Sequence, residues 1–291
     1  MQNFGVQQGL RNQISEIDTD NIRIISSLGF TVVCSIGSGQ FGQVYKVFDK
    51  CRNLFAIKVQ KKELYLKQEW DAVINIFGDN QLGSENLIRV FGKKELEDRV
   101  IILMAYANLG NLLNLIDAQR LFNVNQYQIQ QQGNQYLEER VISIIMRQIL
   151  TGLNDMHNAK LVHCDIKPDN ILLDRKLSQK QVNMNICEAM ICDYGETNNE
   201  ILANKQMSLK PIGGTSGFQA PEILTYMRNA SVDNWQKLSG KIDIFSAGTV
   251  LFQLAMKYHP YITHVVNDIS IPQDQKAAFI QNSNGIQNSR R

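Results

Sequence analysis

His163-Cys164-Asp165-Ile166-Lys167-Pro168-Asp169-Asn170 is the stretch on which the reading of this chain turns. The octet lies between two segments of different periodicity. Residues 137–157 before it carry Val141, Ile144, Ile145 and Ile149 at helical spacing. Ile171-Leu172-Leu173 after it is a short, apolar, strand-like run. A single Asp or Asn in such a loop is ordinarily a turn-former or a helix cap, so the octet gains meaning only from what else the chain arranges around it. A second acidic turn, Asp193-Tyr194-Gly195, comes further along, directly behind the apolar Met190-Ile191-Cys192.

Working outward to the N-terminal side, residues 30–36 are rich in β-branched side chains and read as a strand. Gly37-Ser38-Gly39-Gln40-Phe41-Gly42 follows, and residues 44–48 read as strand again. Glycines at 37, 39 and 42 permit close backbone approach, so amide N–H groups can reach phosphate oxygens. The same GxGxxG spacing occurs in dinucleotide-binding turns, where it opens a helix, and in plain glycine-rich hairpins. Here the strand that follows favours a hairpin lid. Lys58, in Ala56-Ile57-Lys58-Val59, lies on a third strand (54–59). An ammonium among apolar neighbours must be paired or solvated. It is either a snorkelling edge lysine or a ligand for nucleotide phosphates steadied by a helix glutamate. Glu69 is the best such partner, on a helical segment 62–77 that carries Leu66, Trp70, Val73, Ile74 and Phe77; Glu63 is too close along the chain. With strands expected at 87–91 and 100–106, the N-terminal third of the chain reads as a small antiparallel sheet with one helix. Helices are expected at 111–118 and, strongly apolar, at 243–257, and the Gln/Asn-rich stretch 124–135 reads as a solvated insert.

The ordered set of glycine loop, Lys58, Asp165, Lys167, Asn170 and Asp193 resembles the eukaryotic protein kinase family, serine/threonine type, with HCD in place of HRD and DYG in place of DFG. Two further stretches extend the resemblance. Gly214-Thr215-Ser216-Gly217-Phe218-Gln219-Ala220-Pro221-Glu222 is similar to the close of a kinase activation loop. Asp243-Ile244-Phe245-Ser246-Ala247-Gly248 is similar to the start of the buried helix whose Asp anchors the catalytic loop. The resemblance covers roughly residues 30–261. It implies an α+β, two-lobed protein-kinase fold: a lead-in 1–29, a sheet lobe 30–107, a mainly helical lobe 108–265, and a polar tail, or remnant of later helices, 266–291. It implies ATP and Mg2+ as cofactors and protein substrates as partners. Asp165, Lys167 and Asn170 would be catalytic, and Asn170 and Asp193 would hold metal. ATP would contact Ile36, Gly37, Ser38, Gly39, Gln40, Phe41, Gly42, Val44, Ala56, Lys58, Glu69, Met104, Ala105, Tyr106, Ala107 and Leu172. Met104 falls at the gatekeeper position and Ala105–Ala107 at the adenine-binding hinge. Lys167, shortly after Asp165, fits transfer to Ser/Thr hydroxyls.

Three departures modify the picture. Cys164 stands where the family places an arginine that pairs with an activation-loop phosphate, a contact cysteine cannot make. The interval from Lys58 to Glu69 is shorter than the family's usual one. The chain ends at Arg291, soon after Asp243, with no convincing arginine partner for Glu222 before Arg290. A truncated or divergent large lobe, or a fragment, would explain this, and Glu222 should then be partly exposed or otherwise paired.

Bulk composition narrows the alternatives. Thirty basic and 28 acidic residues give a formal charge of +2, which offers no case for nucleic acid or a membrane surface as partner. Five cysteines without a CxxC pair argue against a disulfide framework or zinc site and for a reducing intracellular compartment, cytoplasmic or nuclear. No signal peptide or membrane-length apolar run is visible. The rivals are a pseudokinase scaffold or allosteric nucleotide-binding module, and a small-molecule kinase of related fold. A dinucleotide-binding oxidoreductase fails for want of an acidic residue ending a second strand.

Overall fold

Strand-forming sequence in the N-terminal third of the chain becomes one five-stranded sheet, seen in a computed structural model. The structure describes residues 16–39, 42–78, 84–118, 137–175, 187–199, 214–223 and 239–260. The chain forms two compact units: Met1–Tyr65 with Arg89–Tyr106, and Leu66–Ile88 with Ala107–Arg291.

The first unit is built on β1 (Thr31–Gly39), β2 (Gly42–Phe48), β3 (Leu54–Lys61), β4 (Val90–Glu95) and β5 (Arg99–Ala105), antiparallel in the order β1-β2-β3-β5-β4. Register sorts its side chains. Val44 pairs with Lys58 and Lys58 with Ile102; Lys46 pairs with Ala56 and Ala56 with Met104. Opposed residues share a face and neighbours alternate. Val44, Ala56, Lys58 and Met104 therefore lie on one face, and Tyr45, Val47, Ile57, Val59 and Ile101 on the other. That second face is the core of the unit, closed by Ile25 with Ile22 and Leu28 packed beside it. Ile25 belongs to α1 (Glu16–Ser27) and is fully buried, a burial that contributes about 1.5–3 kcal/mol. The stretch before Phe30, read from sequence as a lead-in, thus supplies part of the sheet's core.

Two other expectations shift. Instead of one helix over 62–77, a 3-10 turn at Lys62–Leu64 is followed by α2 (Lys67–Phe77), which falls in the second unit. The Lys62 amide donates to the Asp98 carbonyl at 2.9 Å, tying the chain to the β4–β5 turn, and Leu66 is extended. The buried face of α2 carries Glu69, Ala72 and Val73, while Ile74 is 52% exposed. The strand expected at 87–91 starts only at Val90; Leu87 instead makes an isolated parallel bridge to Ile191.

The second unit is organised by α3 (Glu139–Asn158), which buries Ile145, Ile149, Leu153 and Met156 along one stripe and packs on both α4 (Lys241–Met256) and a short strand pair. That pair is β7 (Ile171–Arg175) with β8 (Cys187–Ile191); β6 (Leu161–Val162) pairs with β9 (Asn198–Asn199), and residues 112–118 are helical. Gly152 matters here: a Cβ at that position would lie 2.7 Å from the Asn86 carbonyl. The side-chain-free surface lets the 84–88 segment cross α3, and from there the Asn86 carbonyl accepts the Ile191 amide at 2.9 Å. The 124–135 insert and the 266–291 tail lie outside the described residues.

Candidate active site

The first unit holds one half of the candidate residues. Gly39 pairs with Gly42 across the hairpin turn, whose two residues, Gln40 and Phe41, lie outside those described. Gly42 has φ +129°, and a Cβ there would overlap the Val59 carbonyl, so only glycine lets β2 start this close to β3. Lys58 is buried and shares its sheet face with Val44, Ala56 and Met104. Ile36 is exposed; Lys46 sits 4.6 Å above the Tyr106 ring. The passage from the first unit to the second falls between Tyr106 and Ala107, inside the segment expected to bind adenine.

The second unit holds the rest, and there Lys167, Asn170 and Thr215 converge on the Asp165 carboxylate. Its Oδ2 accepts the Lys167 ammonium at 2.7 Å and the Asn170 amide at 3.0 Å. Its Oδ1 accepts the Thr215 backbone N–H at 2.8 Å and the Thr215 hydroxyl at 2.7 Å. Lys167 also donates to the Thr215 hydroxyl at 2.6 Å. Four donors fix the carboxylate, and one is already an O–H, the kind of donor a hydroxyl substrate presents. Asn170 also donates to the Asp165 carbonyl at 2.8 Å, so its NH2 is committed and Oδ1 is the amide's acceptor. Asp193 follows shortly after β8; the Cys192 amide, next to it, donates to the Asn170 carbonyl at 2.9 Å. Asp193 holds φ +67°, a left-handed geometry that Asp tolerates better than most residues. Glu69 is buried on α2, which packs against the 3-10 turn Tyr194–Glu196. Leu172 pairs with Met190 in the β7–β8 ladder.

Tyrosine in the middle of Asp193-Tyr194-Gly195 is accommodated rather than merely tolerated. Its ring is buried and its hydroxyl lies 3.2 Å from the Ile88 carbonyl and 3.3 Å from that of Ile191. Burial pushes its pKa well above the ordinary tyrosine value, so it remains a neutral donor.

The loop beneath is held by Asp243, which is fully buried at the start of α4. One oxygen accepts the His163 amide at 2.8 Å and lies 2.9 Å from His157 Nε2; the other accepts the Cys164 amide at 2.9 Å. His163 Nδ1 accepts the Asp165 amide at 3.2 Å, which leaves Nε2 to donate to the Cys192 carbonyl at 3.1 Å. His157 went unread in the sequence because it sits on a helix whose apolar stripe dominates the pattern.

The 214–220 segment needs its glycines. Gly214 has φ +111°, and a Cβ there would lie 2.6 Å from the Cys164 carbonyl. Gly217, at φ +95°, would meet the His259 ring at 2.9 Å, and that ring packs edge-on against Phe218 at 4.8 Å. Burial holds the His259 imidazole below its ordinary value, against a smaller opposite pull from the Gly217 backbone hydrogen bond. The fold therefore favours neutral His259: its contribution is complete above about pH 6.5 and is lost as pH falls through the lowered folded value. Thermal midpoints measured from pH 7 to 5 should fall more steeply for the wild type than for His259→Gln. Parallel curves would refute this.

A protein kinase domain family profile matches residues 30–289. The chain belongs to that family, and its five-stranded antiparallel sheet and larger helical unit are the two lobes of the protein-kinase fold. It is 25% identical over 234 residues to the serine/threonine-protein kinase pakG of Dictyostelium discoideum, covering 80% of this chain and 17% of that protein. It is 26% identical over 263 residues to myosin light chain kinase 2, skeletal/cardiac muscle, of Mus musculus (89% and 37%), and 27% identical over 234 residues to the serine/threonine-protein kinase Nek5 of Mus musculus (80% and 31%). The chain thus spans well under half the length of these relatives. Glu222 is exposed, and no helix among the described residues is long and apolar enough to cross a membrane.

Proposed function

We propose that this chain transfers the γ-phosphate of Mg-ATP to serine or threonine hydroxyls of protein substrates. The observation that carries the reading is the Asp165 carboxylate, gripped by Lys167, Asn170 and Thr215. Asp165 orients the incoming hydroxyl and takes its proton. Lys167, 2.7 Å from Asp165 and 2.6 Å from Thr215, places a positive charge where the transferred group gains negative charge. In the first unit, backbone amides of the glycine hairpin and the Lys58 ammonium bind phosphate oxygens, and Val44, Ala56 and Met104 supply an apolar face for the base. The donor set fits magnesium: Asp193 offers a hard carboxylate and Asn170 its Oδ1, the one-carboxylate pattern of an ion that enters with phosphates. Magnesium, when bound, neutralises phosphate charge.

The test is transfer of labelled γ-phosphate from Mg-ATP to a generic protein substrate and to the chain itself, followed by phosphoamino-acid analysis. Phosphoserine or phosphothreonine supports the reading. Nucleotide binding with no transfer would favour a pseudokinase scaffold instead.

Cys164 supports a further part of the proposal, that no activation-loop phosphate is required. The residue is buried in an apolar cluster with Val162, Ala220, Ile223 and Ile242. Packing, rather than an ion pair, joins the catalytic loop to the 214–223 segment there. Phosphatase treatment should leave the transfer rate unchanged. Cys164→Arg should destabilise the fold by about 3–5 kcal/mol, the cost of an uncompensated buried charge. A rate that collapses on dephosphorylation would sink this part of the proposal.

A further inference from the structure

Helix α1 reaches the glycine hairpin through a closed polar triangle. Asn21 is 4% exposed, and its amide donates to Gln43 Oε1 at 2.7 Å and to the Tyr45 hydroxyl at 3.1 Å. The Tyr45 hydroxyl in turn donates to Gln43 Oε1 at 2.6 Å. Asn21 Oδ1 accepts from Arg99 at 2.8 Å, and the same guanidinium is locked by Asp98 at 2.6 Å. Every polar atom of the Asn21 side chain is thus committed, and the amide orientation follows from its partners.

The position of the triangle gives it a consequence. Gln43 is the residue after Gly42, the point at which the hairpin's second arm leaves the turn. Gly42 is pressed against the Val59 carbonyl on one side, and Asn21 holds the next residue from α1. Tyr45, one residue beyond Val44, is buried at 1% exposure in the core face that α1 covers. Two successive anchors therefore fix where β2 begins. A buried polar group left without its partner carries its full desolvation cost, so the hairpin cannot shift away from α1 freely.

We propose that Asn21 is a positioning residue for the phosphate-binding hairpin, and that α1 acts as a clamp that sets the hairpin's place over the nucleotide's phosphates. This rests on the kinase reading above. Because the clamp acts on the hairpin and not on the base-binding face, it should discriminate between ligands with and without phosphates.

The experiment is calorimetric titration of the full chain with Mg-ADP and, separately, with adenosine. Wild type, Asn21→Ala and Gln43→Ala are compared, with thermal midpoints measured alongside. Gln43→Ala removes the same contact from the strand side and serves if Asn21→Ala does not fold. Each variant should weaken Mg-ADP binding about three- to tenfold, the scale of one buried hydrogen bond, with adenosine affinity unchanged. The two variants share the loss of the Asn21–Gln43 bond, so the double variant should lose less affinity than the two single effects combined. Equal losses for both ligands would reduce Asn21 to a purely structural residue, and unchanged Mg-ADP affinity would also overturn the clamp. Wild-type chain that binds neither ligand would refute the kinase reading, and the clamp with it.

Discussion

Asp165→Asn should lower the rate of phosphoryl transfer about 10²–10⁴-fold, the range spanned by loss of a positioned general base. The replacement is nearly isosteric, so the effect on chemistry can be separated from the effect on folding. An asparagine oxygen can still accept the Thr215 amide and hydroxyl, now at 2.8 and 2.7 Å. Its NH2 would face the Lys167 ammonium and the Asn170 amide, both of which are donors at Oδ2. That local mismatch costs about 1–3 kcal/mol and should appear as a modestly lower thermal midpoint with Mg-ADP binding retained. A variant that keeps wild-type kcat would remove Asp165 from the mechanism.

The largest structural effect is expected at Asp243. Asp243→Ala removes the acceptor for the His163 amide and the Cys164 amide, and the partner of His157 Nε2, together. The two amides gain no water in exchange, because Asp243 and His163 are fully buried and Cys164 nearly so. Removing one partner from a buried charged contact costs about 3–5 kcal/mol, a large part of the stability of an ordinary domain. The His163-to-Asn170 loop would lose the anchor at its start. Chemical denaturation should show the midpoint fall without a change in slope, and transfer should vanish in the same variant. A stable, active Asp243→Ala would mean that the loop is held by other contacts.

The cluster around Asp165 was legible because its residues are concentrated in short stretches with fixed internal spacing. Asp165, Lys167 and Asn170 are close in sequence and meet in space, whereas their contact with the distant Thr215 is seen only in the fold. Strand periodicity likewise gave most of the sheet. What escaped the sequence is carried by contacts between distant segments. The Asn21 triangle joins a helix to a strand through three polar residues that no period marks. His157 hides in the last turn of an amphipathic helix, beside its apolar stripe. The misread helix 62–77 had the right apolar count, but its start was decided by the Lys62–Asp98 backbone bond, a tertiary link that propensity does not contain.

The way the chain alternates between its two units bears on how it can be cut. It leaves the first unit after Tyr65, returns at Arg89 and leaves again after Tyr106. A piece ending at Tyr106 would contain all five strands, yet it would also carry α2 and the 84–88 segment without the Tyr194–Glu196 turn and the Ile191 backbone they pack on and bond to. The buried faces of Ala72, Val73, Leu87 and Ile88 would then meet water. The sheet unit is therefore a spatial module without being a genetic one, and shuffling it into another protein would require a graft in two pieces rather than a single cut.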